Sequence, residues 1–133
     1  MPGRSGPIRV LIAEDDDAYR ESLRELVDRQ PELRVVAEAS NGLGAIELAD
    51  EVAVDAAVVD LHMPLVDGVT ALARLRRDHP TLCLIAITAD AEPELLRAVG
   101  EAGADAVLLK DELVETLVER LRHVRNPGPT RLD

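Results

Sequence analysis

At 133 residues, 47% of them hydrophobic, the chain has the length of one domain and is too apolar for a disordered segment. Its net charge of −11, from 15 Lys and Arg against 26 Asp and Glu, repels nucleic acid phosphates, and its one aromatic residue, Tyr19, makes no base-stacking platform. Direct nucleic acid binding by this chain is therefore not expected.

Residues 1–7, Met-Pro-Gly-Arg-Ser-Gly-Pro, read as a flexible start without the apolar core of a signal peptide. No apolar run reaches the roughly 20 residues of a membrane span, so a cytoplasmic protein without membrane contact is expected. Five short apolar runs follow, near 8–13, 33–39, 55–60, 82–88 and 106–109. They are continuous rather than alternating, as strands covered on both faces should be.

The first run, Val10-Leu11-Ile12-Ala13, ends in Glu14-Asp15. Asp16 and Asp17 then make an acidic start for a helix whose stripe is Tyr19, Leu23, Leu26 and Val27. After the second run, Asn41-Gly42 opens a weaker, Ala-rich helix through Ala45, Ile46, Leu48 and Ala49. The third run, Ala56-Ala57-Val58-Val59, ends in Asp60 and is followed by Leu61-His62-Met63-Pro64 and Asp67-Gly68. Val69, Leu72 and Leu75 form the next stripe, with Arg74, Arg76 and Arg77 mostly off it. The fourth run contains Cys83, read as a buried and inert thiol, and ends at Thr88. Leu95, Leu96, Val99 and Ala102 mark a helix that Gly103 is placed to end. The fifth run ends at Lys110, and a last helix over 111–125 carries Leu113, Leu117, Leu121 and Val124. Residues 126–133 read as a tail or the start of a linker.

Five strand–helix alternations imply right-handed crossovers and a parallel sheet with helices on both faces. Such sheets carry their sites outside the carboxyl ends of the strands. Glu14, Asp15, Asp60, Thr88 and Lys110 all fall at such ends, so they are expected to converge. A carboxylate ending a buried strand costs free energy unless something binds it. A carboxylate can also attack phosphorus and hold the phosphoryl group, provided cations offset the negative charge. Glu14 and Asp15 are placed to share a Mg²⁺ with Asp60, while Lys110 supplies a fixed positive charge and Thr88 a short hydroxyl donor. Without metal, the clustered carboxylates should raise at least one pKa, and Mg²⁺ should stabilise the fold.

Taken singly, each residue has a plainer reading. The acid pair and Thr88 suit helix caps or loop starts, and Lys110 suits a solvated surface. Only the set at matching strand ends is specific. His62, His79 and His123 have no metal-ligand spacing, which excludes a zinc site.

Residues 8–125 resemble a response-regulator receiver domain of two-component signalling. The motifs that carry the resemblance are Ile12-Ala13-Glu14-Asp15-Asp16, Val59-Asp60-Leu61-His62-Met63-Pro64, Asp67-Gly68, Ile87-Thr88-Ala89 and Gly103-Ala104-Asp105-Ala106-Val107-Leu108-Leu109-Lys110-Asp111. Asp-Leu-x-Met-Pro and Leu-Leu-Lys-Asp are most similar to the NarL/FixJ-type subgroup, whose receivers usually precede a DNA-binding domain. The resemblance implies a flavodoxin-like (βα)5 three-layer sandwich with a five-stranded sheet of order 2-1-3-4-5. It implies that Asp60 accepts a phosphoryl group from a sensor histidine kinase, with Thr88 and Lys110 holding that group. Asp15 would bind Mg²⁺ directly, Glu14 through water, and the His62 backbone carbonyl would be a further ligand. The implied protein is a phosphoacceptor that assists its own phosphorylation rather than a turnover enzyme. Its implied partners are the kinase and then an effector or a second copy of the chain, as in the regulatory part of a transcriptional regulator.

Two positions depart from the family pattern: Glu14 stands where Asp is commoner, and Val107 where Tyr or Phe is usual. A valine has no ring to swing inward, so signal output is expected to rely on Thr88 and loop movement or on dimerisation. Identical free and phosphorylated structures at the surface of the fourth helix and fifth strand would refute this. The alternative within the fold is a stand-alone or pseudo-receiver that works through protein contacts without phosphorylation. A phosphatase of haloacid-dehalogenase type would carry an acid two residues after Asp60, where His62 stands instead.

Overall fold

The computed structural model describes residues 6–63, 65–90 and 92–124, less the side chains of Leu113 and Val114. Residues 1–5 of the predicted N-terminal segment, Pro64 of the motif, the Leu113 side chain, residue 125 and the predicted tail 126–133 lie outside that description. Among the described residues, strands and helices alternate as β1 (Ile8–Ala13), α1 (Asp17–Asp28), β2 (Leu33–Ala39), α2 (Gly42–Glu51), β3 (Ala56–Asp60), α3 (Gly68–Asp78), β4 (Cys83–Thr88), α4 (Pro93–Ala102), β5 (Ala106–Leu109) and α5 (Leu113–Arg122). All strand pairs are parallel and the order is β2-β1-β3-β4-β5, the predicted flavodoxin-like sheet.

The continuous apolar runs are explained by two cores, one on each face. Val10, Ile12, Ala56, Val58, Ile85 and Ile87 point into a cluster completed by Leu23 and Val27 of α1 and Leu117 and Leu121 of α5. Their strand neighbours Leu11, Ala13, Ala57, Val59, Leu84 and Ala86 point the other way, against Ala45, Leu72, Leu75 and Val99 of α2, α3 and α4. Each fully buried leucine or isoleucine contributes about 1.5–3 kcal/mol by leaving water, which makes this two-sided burial the main stabilising term.

Helix starts follow local chemistry. The Asp16 carboxylate accepts from the Ala18 and Tyr19 amides, the Asn41 side chain from the Gly44 amide, and the Asp67 carboxylate from the Thr70 amide. α4 ends at Gly103, whose φ of 106° is the left-handed conformation a glycine adopts without a Cβ penalty.

Several expectations need correction. β3 and β4 begin one residue later than read; Asp55, just before β3, still bonds to both neighbouring strands, its amide donating to the Arg9 carbonyl at 2.7 Å and its carbonyl accepting the Cys83 amide at 3.2 Å. The last helix is shorter than 111–125, since a single 3₁₀ turn over Lys110–Glu112 precedes it and His123 caps it. At that end the His123 and Val124 amides donate to Arg120 and Leu121, the tighter i→i+3 pattern that closes a helix.

Cys83 is only partly buried at the start of β4, not buried as read from the sequence, and burial, reinforced by Asp105, pushes its thiol up to about 11, which disfavours the reactive thiolate. Arg76, read as a residue off the apolar stripe, ties the lower end of the fold together. Its guanidinium donates to the carbonyls of Gly103, Pro80 and Leu82 and to the Asp105 carboxylate, all at 2.8–3.0 Å. Asp105 accepts the Leu84 amide at 2.9 Å as well, which joins α3, α4 and β4.

Candidate functional site

The carboxyl edge of the sheet gathers the residues singled out from the sequence. Glu14 follows β1, Asp60 ends β3, Thr88 ends β4 and Lys110 follows β5. Side-chain alternation decides which of them meet. Glu14 continues the series of Val10 and Ile12, Asp60 that of Ala56 and Val58, and Lys110 that of Ala106 and Leu108, all on the α1/α5 face. Thr88 continues the opposite series, Leu84 and Ala86.

The contacts agree with that parity. The Lys110 Nζ lies 2.9 Å from Glu14 Oε1 and 3.4 Å from Asp60 Oδ1, with Glu14 and Asp60 only 1% and 2% exposed. Both oxygens are buried and meet the ammonium's charge without a well-formed hydrogen bond. The Thr88 hydroxyl, fully buried, instead donates to the Asp90 carbonyl at 2.9 Å and accepts the Asp90 amide at 3.2 Å. Asp15 is exposed, yet one oxygen from each of Glu14, Asp15 and Asp60 lies within 4.8 Å of the other two. His62 is exposed at the head of the β3–α3 loop.

Electrostatics follow from this packing. Burial raises the Glu14 pKa most, Asp60 adds repulsion, and the attraction of Lys110 and the Asp16 amide only partly offsets them. Burial alone would lower the Lys110 pKa, but Glu14 and Asp60 outweigh it and hold the ammonium above its ordinary value. Three clustered carboxylates, two of them with a buried oxygen lacking a hydrogen-bond partner, fit a small divalent cation such as Mg²⁺.

A raised folded-state pKa means that Glu14 costs stability once it ionises, as pH rises through that value. Glu14→Gln is therefore expected to raise the melting temperature of the metal-free protein by about 2–5 °C at neutral pH. The gap should close as pH falls below the ordinary glutamate value of 4.5. Calorimetry across that range checks this, and a lower melting temperature for the variant at pH 7 would show that the Lys110 pairing dominates.

Three features of the site were not read from the sequence. The Tyr19 ring centroid lies 4.6 Å from the Lys110 Nζ, although Tyr19 is legible in the sequence only as part of a helix stripe. Gly68 lets α3 approach the strand that carries Asp60: a Cβ there would run into the Asp60 carbonyl oxygen and lie 2.5 Å from Leu61 Cα. The motif Asp67-Gly68 signalled that pair without giving its reason. Leu65, 77% exposed, sits at φ 66°, a strained value for a leucine in the loop after Asp60.

Comparison with known proteins bears directly on this arrangement. The family model of the response regulator receiver domain matches residues 10–122. The nitrate/nitrite response regulator protein NarP of Escherichia coli is 38% identical over 116 residues, covering 87% of this chain and 54% of that protein. A protein-glutamate methylesterase/protein-glutamine glutaminase of Anaeromyxobacter dehalogenans is 34% identical over 126 residues, covering 95% of this chain and 37% of its own. The crystal structure of a LuxR-family DNA-binding response regulator from Staphylococcus aureus superposes with a TM-score of 0.83 at 28% identity, covering 90% of this chain and 99% of that one. The chain thus spans about half the length, or less, of these curated relatives. By the family model, these relatives and the shared fold, the chain belongs to the response-regulator receiver domain family, and within it to the NarL/FixJ type.

Proposed function

We propose that this chain is the phosphoryl-accepting module of a cytoplasmic two-component pathway, with Asp60 as acceptor and a sensor histidine kinase as donor. One observation carries the reading. Asp60 is buried with an oxygen short of a hydrogen bond, and Lys110 reaches it at 3.4 Å from the same side as Glu14. In the reaction, an Asp60 oxygen forms the O–P bond as the N–P bond of the phosphohistidine breaks and the imidazole leaves. Lys110 then presents its positive charge to the transferred oxygens. The Thr88 hydroxyl contributes a hydrogen bond only after giving up its bond to the Asp90 carbonyl in the loop after β4, by turning its side chain or with a shift of that loop.

Glu14, Asp15 and Asp60, with the His62 backbone carbonyl, would hold Mg²⁺. When bound, that ion would supply positive charge to offset the negative charge of the carboxylates and the phosphoryl group. Around it, Glu14 keeps Lys110 in the site, and Asp16 both accepts the first amides of α1 and donates its own amide to Glu14 at 3.1 Å.

Residues 8–125 would act as the domain, with 1–7 and 126–133 on either side of it. Relatives named as transcriptional and as methylesterase proteins support a regulatory role ahead of an output module. The NarL/FixJ likeness favours transcriptional output, with a second copy of the chain as a further partner. Val107 packs half-buried against the α2–α4 core, so the output step rests on the Thr88 loop or on dimerisation.

The test is intact mass after incubation with acetyl phosphate, with and without Mg²⁺. A single Mg²⁺-dependent phosphoryl adduct is expected. No adduct under conditions that label another receiver would leave a module that works through protein contacts alone.

A further inference from the structure

We propose that Tyr19 is a positioning residue for Lys110, an inference that rests on the phosphoacceptor reading of Asp60. Two parts of one side chain meet two ends of one lysine. The ring lies 4.6 Å from the ammonium, and the phenol hydroxyl donates to the Lys110 backbone carbonyl at 3.4 Å. The hydroxyl contact is long and weak, so the ring is the stronger restraint.

The setting explains why a restraint matters. Lys110 follows the four-residue strand β5 and lies in a one-turn 3₁₀ segment, with its side chain still 23% exposed. A free lysine on a flexible stem samples many rotamers, and only a few of them reach Asp60. Glu14 and Asp60 attract the ammonium from the sheet edge, and the Tyr19 ring covers it from α1. The Tyr19 backbone sits in the first turn of α1, where its amide donates to the Asp16 carboxylate at 3.4 Å.

Core filling does not account for the choice of residue. The buried core on this face of the sheet is entirely aliphatic, and Tyr19 only flanks it, half-buried, where a leucine would fill the same edge. A leucine has no π face for a cation. The chain's only aromatic residue thus stands where a cation needs to be held.

The experiment compares Tyr19→Phe and Tyr19→Leu in the same chain by two readouts. The first is the pair of Lys110 Hε protons in NMR spectra, which have separate shifts when the side chain is held and one averaged shift when it rotates freely. Separate shifts are expected in the wild type and Tyr19→Phe, and a collapse to one in Tyr19→Leu. The second is the initial rate of labelling by acetyl phosphate, expected within about twofold of wild type for Tyr19→Phe and about three- to tenfold slower for Tyr19→Leu, the range a lost cation–π contact gives. Separate Hε shifts retained in Tyr19→Leu, or equal losses of rate in both variants, would overturn the inference. Should Tyr19→Leu unfold, Tyr19→Met takes its place with the same expectations. If the wild type is not labelled at all, the phosphoacceptor reading fails, and the Hε shifts still judge whether Tyr19 holds Lys110.

Discussion

Asp60→Asn is expected to abolish the phosphoryl adduct, a fall of at least about a hundredfold in labelling, because an amide oxygen is no substitute for a carboxylate nucleophile. The substitution keeps shape and volume at a site only 2% exposed, so loss of labelling will not come from a disturbed core. The variant should still fold, since Lys110 keeps its nearer partner Glu14 at 2.9 Å and the repulsion between Asp60 and Glu14 is removed. Intact mass after acetyl phosphate treatment, with melting temperature as the control, makes the measurement. Undiminished labelling of the variant would move the acceptor to another carboxylate, with exposed Asp15 the first to examine.

Gly68→Ala is expected to lower stability and slow labelling together, against the usual effect of this exchange in a helix. Alanine normally gains about 0.5–1 kcal/mol over glycine within a helix. Here its Cβ would meet backbone on every side: the Asp60 carbonyl oxygen, Leu61 Cα at 2.5 Å and the Asp60 carbonyl carbon at 3.0 Å. Backbone cannot rotate out of the way as a flexible side chain can, so α3 or the end of β3 must shift. Overpacking of this kind costs about 1–3 kcal/mol, more than the helix propensity returns. The shift would also draw Leu72 and Leu75, which are 0% and 1% exposed, away from the core they complete. A displacement of about 1 Å at a reacting group can cost on the order of a hundredfold in rate. A melting temperature lower by about 5 °C with slower labelling is therefore the expected pair of results. An unchanged or higher melting temperature would mean that the loop after Asp60 yields easily and that Gly68 is not what seats α3.

Much of the architecture could be read from local pattern. Continuous apolar runs separated by amphipathic stripes require a sheet covered on both faces, because either face left open would expose a full row of Val, Ile and Leu. Glu14, Asp60, Thr88 and Lys110 each end such a run, and a parallel sheet brings the ends of its strands to one edge whatever the loops contain. For that reason the parallel sheet, the helix starts at Asp16 and Asn41, the helix end at Gly103 and the meeting of acids with a lysine were legible before any contact was known, whereas the strand order came from the family resemblance.

Other features depended on distances between residues far apart in the chain. Strand register and side-chain alternation put Glu14, Asp60 and Lys110 on one face and turned the Thr88 hydroxyl to Asp90 on the other, a distinction that one residue of register reverses. Tyr19 and Lys110 lie 91 positions apart, and nothing local to either residue requires them to touch. Arg76 looked like a residue outside the apolar stripe because helical periodicity describes only its own helix, while its partners Gly103 and Asp105 belong to the α4–β5 connection. Local patterning determined which elements form and where charged residues end them. Only the packed sheet decided which side chains share a face, since that depends on register between strands that the chain joins through separate helices.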